Sequence, residues 1–474
     1  MFSTRYLNIC LAVLVYLAIS SSLAAVADTH YVNPGGSIQV AINAADPGDE
    51  IEVAAGTYKE AINFNGKAIR LYSADGRDAT TIDATGLNAS VVTCTSGEGS
   101  GTILEGFTIT GGSGTVADPR RGGGMYNLSS SPTVTNCIFS SNTCTGRGGG
   151  MCNYGGSNPT VTNCNFSGNT AHYGGGMHNS SSSPTVTNCN FIGNTGYTGG
   201  GMSNEFSSNS IVTNCTFASN TSGGRGAGMM NFYYSSPTVT NCKFSKNYTV
   251  YAGGGMSNEL GSNSIVTNCT FISNNAGYGG GMSNEESNPT VTNCILWGDT
   301  PDEIYYPNIT ITYSDVQGGW TGTGNIDADP MFADTEGRLS PGSPCIDAGN
   351  NAAVPSGVTT DLDGNPRIQG LCVDMGAFEA LAATPEAMLA GLRAYIVEQV
   401  GLGIDAEMEV SLLAKVDAAI SALNRGNAND VKVVMNDLKA LVNQVEAQTD
   451  KKIMPDVAAK IIDRANAIIA ALGG

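Results

Sequence analysis

Glu205, Glu259 and Glu285 each stand three residues after a methionine that closes a glycine run, so they fall in one column of a repeating sequence. Two carboxylates facing one cleft can hydrolyse a glycosidic bond, and clustered carboxylates with calcium and a nearby base can drive β-elimination from a uronate. Such groups are scarce here. From Gly122 to Gly298 there is no Asp, the carboxylates are those three and Glu286, and the basic residues are Arg147, Arg225, Lys243 and Lys246. With units about 4.8 Å apart, Glu205 and Glu259 would lie about 10 Å from each other. That is at the loose end of an inverting pair, so the column is expected to be non-catalytic.

Other candidates carry different chemistry. His172 and His178 flank one GGGM with no third ligand near in sequence, and read as exposed turn histidines. Asp327, Asp329, Asp334, Asp361, Asp363 and Asp374 are hard oxygen donors, and Asp327, Asp329, Asp361 and Asp363 are the candidate calcium ligands. Turn capping competes with that assignment. The stretch DLDGNPR has its Gly fourth rather than sixth, unlike an EF-hand loop. Four or five residues before successive Met residues stand Arg121, Arg147, Tyr173, Tyr197, Arg225, Tyr251 and Tyr278. Stacked along one edge, their rings and guanidinium groups suit sugar faces, hydroxyls and carboxylates.

The repeat must position these side chains. Met125, Met151, Met177, Met202, Met229, Met256 and Met282 form one column, and Cys137, Cys164, Cys189, Cys215, Cys242, Cys269 and Cys294 a second, at intervals of 25 to 27 residues. Phe139, Phe166, Phe191, Phe217, Phe244 and Phe271 form a third. In TVTNCNF, Val161 and Cys164 are three apart and cannot share a face of one straight strand. A bend at Asn163 resolves this, because Asn tolerates the left-handed conformation. Each unit then holds three short strands, around GGM, PTVT and CxF, which predicts one coil of a parallel β-helix. Seven such coils make a rod of about 34 Å.

Met, Val, Cys and Phe should stack as core, with Asn before Cys and Asn after Phe forming turn ladders. Parallel, buried thiols suit neither a disulfide framework nor a metal site. Cys144 with Cys152, and Cys345 with Cys372, are the better disulfide candidates.

The ends differ from the middle. Ser37 to Ala45 is amphipathic and is expected to cover the first coil, followed by alternating strands at 51–53, 62–64 and 69–71. The Asp-rich loops of 299–380 are expected to cover the other end. Segments 385–400, 405–424, 428–448 and 455–472 have helical spacing, with Gly426, Asn427 and Pro455 as boundary signals, and predict a four-helix domain over 381–474. The rest divides into 28–121, the N-terminal cap and first coils, and 122–298, the repeats.

Residues 1–27 read as a cleaved signal peptide, with Arg5, an apolar run and a small-residue end at Ala27, so a secreted or cell-surface protein is expected. Cys10 lacks lipoprotein context, and no later stretch is apolar enough to span a bilayer. The formal charge of −19 excludes nucleic acid and anionic membrane as favoured partners.

The coils and the opening SIQVAINAADPGDEIEVAAGTY resemble right-handed parallel β-helix proteins of the pectin-lyase-like superfamily. The GGGM and FxxN motifs resemble the repeats of chlamydial polymorphic outer-membrane proteins, which are adhesins, although no autotransporter barrel follows here. The stretch from NIDADPMFAD through SPCIDAGNN and TDLDGNPRI to VDMGAFE is similar to choice-of-anchor Q proteins. The tail from SLLAKVDAAISAL to ANAIIAAL is similar to the FIMAH domain, an accessory helical module. These resemblances imply a mainly β, right-handed parallel β-helix with three strands per coil and a helical tail. Many members of the superfamily degrade polysaccharides, but the Asn-Thr-Asp and Gly-His-Gly combination of polygalacturonases is not found, nor is a pectate-lyase type Asp cluster within the coils.

The leading expectation is therefore non-catalytic binding of a polysaccharide or cell-surface glycan, with the helical domain as a second point of attachment to a surface partner. The competing expectation is a polysaccharide lyase or glycoside hydrolase acting on an acidic polysaccharide, with calcium as its cofactor. A purely structural rod displaying the helical tail is the third.

Overall fold

Val134, Cys137 and Phe139 are all fully buried although their spacing cannot fit one strand. The chain solves this at Asn136, which turns at φ 54° between strands Thr133–Thr135 and Ile138–Ser140. Asn163, Asn188, Asn214, Asn241, Asn268 and Asn293 repeat that left-handed corner in every following coil. The strand Met125–Leu128 opens the unit, and after the Phe strand a glycine run leads to the next, Met151–Tyr154.

The structure is a computed structural model that describes residues 27–114, 122–370, 372–380, 385–425 and 430–472. Its strands form three long parallel sheets along a rod and a fourth, short one of Thr195–Gly196, Thr221–Ser222 and Tyr248–Thr249. A Val sheet of 12 strands runs from Thr29–Val32 to Thr310–Thr312, and a Phe sheet of 11 from Gly56–Tyr58 to Asp315–Val316. A Met sheet of 10 strands runs from Ile62–Asn63 to Ile304–Tyr305. Register is kept without slip, for example Met151 beside Met177, Val161 beside Val186 and Phe166 beside Phe191. The six phenylalanines stack with centroids 4.6–4.8 Å apart, and each coil covers the apolar interior of the one before.

Polar side chains inside the rod are paired from coil to coil. Asn142, Asn169, Asn194, Asn220, Asn247 and Asn274 each donate Nδ2 to the next side chain at 2.9–3.1 Å, and Asp299 is the final acceptor. A further buried ladder joins Asn127, Asn153, Asn179, Asn204, Asn231, Asn258 and Asn284 at 2.8–2.9 Å. It lies within the Met strands rather than at a turn. In the Cys column each backbone N–H from Cys137 to Cys269 meets the next sulfur, as Cys215 N does Cys242 Sγ at 3.4 Å, and Cys294 N donates to Ser314 Oγ at 3.0 Å. Neither Cys144 with Cys152 nor Cys345 with Cys372 forms a disulfide, and Cys345 Sγ lies 3.1 Å from Asp315 Oδ2.

Helix α1, Ile38–Ala44, is capped by Ser37 and buries Ile38 and Ile42 against the first coil, as the amphipathic pattern predicts. The Asp-rich segment corrects the expectation. Trp320 packs against the core at the end of the rod, and Ile326 pairs beside Asp315, but the later residues turn back along the rod instead of capping it. Their anchor is the corner between the Val and Phe sheets. Asn350 N donates to Asn293 Oδ1 at 2.7 Å, Ala377 N to Thr270 Oγ1 at 2.9 Å, and Asn241 Nδ2 to Thr360 O at 2.6 Å. These positions offer polar side chains with which the folded-back segment pairs.

Helices α2 (Pro385–Gln399), α3 (Glu409–Leu423), α4 (Asp430–Gln448) and α5 (Pro455–Ala471) share a core that includes Leu392, Val416, Leu438 and Ile461. Before α3, Asp405 caps a separate turn over Ala406–Met408, which delays the helix relative to its expected start. The loops joining α2 to α3 and α4 to α5 pair with each other through Asp405 N to Lys452 O and Met454 N to Gly403 O, both 2.8 Å. The boundary signals Gly426 and Asn427 lie outside the described residues. No helix among the described residues is long and apolar enough to cross a membrane.

Candidate functional site

The edge before the Met sheet is set by glycine. Gly174 turns at φ +63°, and a Cβ there would lie 2.2 Å from the Met177 carbonyl oxygen, so the chain packs onto itself and pushes its preceding residues outward. Gly148 N donates to Tyr173 O, Gly174 N to Thr198 O, Gly199 N to Arg225 O, Gly226 N to Ala252 O and Gly253 N to Tyr278 O. The aligned column is therefore Arg147, Tyr173, Thr198, Arg225, Ala252 and Tyr278. Tyr197 and Tyr251 sit one residue earlier and leave the edge in another direction, because a one-residue slip reverses the side of an extended chain. Arg121 lies outside the described residues.

The rings consequently form two patches rather than one row. Tyr197 stacks on His172 with centroids 4.8 Å apart, and Tyr173 meets the same imidazole edge-on at 4.5 Å. Farther along, Tyr251 meets Tyr278 edge-on at 6.1 Å, and Tyr278 stacks on Tyr305 at 4.8 Å, with Tyr306 beside it. Tyr197, Tyr251 and Tyr278 remain 55%, 48% and 48% exposed, so their faces are open to a ligand. Sequence reasoning missed Tyr305 and Tyr306. Their signal was weak: IYY follows the last repeat without a GGGM, yet Tyr305 pairs in register with Ser283.

The cations of the edge point along the rod toward the Glu column. The Arg225 guanidinium lies 4.5 Å from the Tyr251 ring centroid, and Nη1 contacts Glu259 Oε1 at 2.6 Å and also Glu285. Burial opposes the guanidinium charge, but the hydrogen bonds it donates to Glu259 and Glu285 hold Arg225 more firmly protonated than usual. Burial raises the Glu259 carboxyl, and Arg225 opposes that rise. Three coils earlier, Arg147 reaches over Tyr173 at 5.6 Å, and its buried Nε makes no hydrogen bond. Burial raises the Glu205 carboxyl against the pull of Arg147 and of Ser203, whose hydroxyl is 3.4 Å away. His178 stands on the Met strand in register with Ser203 and is buried, while His172 is on the edge.

The Asp candidates are not drawn into one shell. Asp327 accepts from Gly318 N and Asp329 from Met331 N, each closing a turn. Asp361 is buried and accepts from the amides of Asp363, Asn365 and Glu379, and Asp363 binds Arg338 at 2.7 Å. Among the described residues no group of three or more His, Cys, Asp or Glu is arranged to hold a metal ion. Where the folded-back segment meets the rod, a cleft of about 470 Å³ opens between Asn190 and Thr216 on one side and Arg338 and Asp363 on the other, with Lys243 at its margin.

A family model described as the right-handed β-helix region matches residues 68–231 and 196–306. Among solved structures, a pectin methylesterase from carrot is similar over 68% of this chain and 88% of its own, with 12% identity and a TM-score of 0.31. No curated protein matches the sequence.

Proposed function

The chain belongs to the right-handed β-helix family, and from that premise we propose that it binds a glycan-bearing surface through the Arg and Tyr edge of its Met sheet, without catalysis at that edge. One observation carries the reading: Tyr251 and Tyr278, which meet edge-on, keep about half of their surface exposed, and a fixed cation, Arg225, lies over the Tyr251 ring. Apolar ring faces flanked by a charged donor are the elements that recognise sugar rings and their hydroxyls. In this reading the signal-like start supports a position outside the cell or at its surface, and the FIMAH-like helices supply a second attachment point.

A specific observation supports a second reading as a polysaccharide-degrading enzyme. Glu205 is buried with its carboxyl raised, which is the state a general acid requires. The mature protein on a glycan array, followed by Tyr251→Ala with Tyr278→Ala, tests the first reading; a signal unchanged in the double variant removes the edge from binding. Incubation with polyuronates and neutral glycans tests the second. Unsaturated products or new reducing ends, lost in Glu205→Gln, would replace the first reading with the second.

A further inference from the structure

The Val sheet shows an outer face with a property that the fold does not demand. From Thr133 to Thr312 its inward residue in each strand is Val or Ile, and the two outward positions are filled almost entirely by threonine, whereas the earlier strands carry Leu71 and Leu104 inward and charged Glu50, Arg70 and Glu105 outward. One row runs Thr133, Thr160, Thr185, Ile211, Thr238, Ile265, Thr290 and Thr310, each beside the next in strict register. The second runs Thr135, Thr162, Thr187, Thr213, Thr240, Thr267, Thr292 and Thr312 without interruption. No charged residue occurs from Ser131 to Asn136 or at the equivalent positions of the next six coils, up to Asn293. Solvent-facing strand positions ordinarily vary and carry Lys or Glu, which also block unwanted association. Here the inside and the outside of the sheet are equally repetitive.

The consequence is a two-dimensional lattice. Strands lie about 4.8 Å apart, and alternate residues along a strand about 6.7 Å apart. Every outward side chain is β-branched, so its χ1 is stiff and its methyl and hydroxyl hold fixed directions at little entropic cost. One margin is pinned by a ladder in which Asn158 N donates to Ser131 Oγ at 2.9 Å, Ser183 N to Asn158 Oδ1 at 2.5 Å and Asn209 N to Ser183 Oγ at 2.9 Å. The hydroxyls of Thr160, Thr162, Thr185 and Thr187 make no hydrogen bond within the protein among the described residues. The folded-back segment covers Thr240 and Thr267 in the second row, so both rows are open only over the earlier coils.

We propose that this face binds ice. A periodic surface recognises a ligand of the same period, and this grid lies close to that of the oxygens on a prism plane of hexagonal ice. Each threonine hydroxyl both donates and accepts, so it can take a lattice position, while its methyl group seats ordered water between rows. Charges would hold hydration shells that the ice lattice cannot accommodate, and the two rows carry none; the charged margin begins at Glu105, beside Thr135, and at Arg77, which donates to the Asn163 carbonyl. The surface lies on a different side of the rod from the Arg and Tyr edge, and the proposal stands or falls independently of glycan binding.

The mature protein is tested for uptake into a slowly growing ice front and for inhibition of ice recrystallisation. Wild type is expected to enter the ice and to keep crystals small. Thr160→Lys combined with Thr185→Lys should reduce both to the level of an unrelated soluble protein, with an unchanged melting curve, whereas Tyr251→Ala should retain both. Should the double variant fold poorly, Thr133→Lys alone supplies the comparison. Exclusion of the wild type from ice, or retained uptake in the folded Lys variants, overturns the proposal. So does wild-type self-association in solution that the Lys variants abolish, because the face would then belong to a second copy of the chain.

Discussion

Replacing Arg367 with Met tests how the folded-back segment is held. Arg367 is only 2% exposed and is one of the largest fully buried side chains. Its guanidinium meets Glu379 at 2.6 Å, the Asp374 carbonyl at 3.0 Å and Asn241 of the rod at 3.4 Å. Burial pushes the Asp374 carboxyl up to about 7, and burial with repulsion from Asp374 pushes Glu379 up to about 8, in both cases against Arg367. Both folded values lie above the unfolded ones. The folded state therefore keeps protons that the unfolded state has released, and stability is greatest below the ordinary carboxylate range. It falls as pH rises through neutrality, by up to about 1.4 kcal/mol per pH unit for each group. Near pH 5.5 both acids are protonated, so Arg367→Met costs chiefly the hydrogen bonds to a charged group, about 1.5–3 kcal/mol. Near pH 8.5 it leaves uncompensated buried anions, a loss of about 3–5 kcal/mol. Hydrogen exchange at Glu379 N and Ala380 N, which donate to Asp361 and Asp374, reads the docking directly. Their protection should drop by tenfold or more at the lower pH and by a hundredfold or more at the higher, at about 1.4 kcal/mol per tenfold. An equal loss at both pH values would refute the charge argument and leave only lost packing.

Two further perturbations probe the rod. Asp299 ends the buried Asn ladder and accepts from Asn274 N at 2.6 Å and Nδ2 at 2.9 Å, with its carboxyl raised to about 6 by burial. Asp299→Asn keeps an acceptor and removes a buried charge, so thermal unfolding at neutral pH should be unchanged or shifted upward, whereas Asp299→Leu should cost about 1–3 kcal/mol for each stranded donor. A destabilisation by Asn as large as that by Leu would show that the charge itself is required. At the left-handed corner, Asn163→Gly should be tolerated, while Asn163→Val should lose about 1–2 kcal/mol or more in denaturant unfolding; equal losses would mean that the side chain, not the backbone conformation, holds the corner.

What the sequence made legible follows from how local each determinant is. The coil was readable because Val161 and Cys164 violate the strand period at one residue type that accepts a left-handed turn, and the violation recurs. The stacked Phe and Cys columns follow from the same arithmetic. The ladder from Asn127 to Asn284 was not read, because a polar residue between Met and a polar neighbour looks like ordinary outward alternation. Only the burial of Met strand residues on both faces reveals it as interior. The Tyr and Arg residues were read as one column, whereas Tyr197 and Tyr251 stand five residues before their Met and Arg147, Tyr173, Arg225 and Tyr278 four, a slip of one residue that changes where a ring points. Contacts such as Arg225 with Glu285, or Arg367 with Asn241, join residues 60 and 126 positions apart, and no periodicity announces them. The repeat thus announces itself through the positions that cannot change, while the docking of the folded-back segment and the closure of Arg225 are written where the repeat is broken. The threonine face is the exception that gives the ice proposal its force: its outward positions are free to vary by every rule of the fold, and across most of two rows of eight they do not.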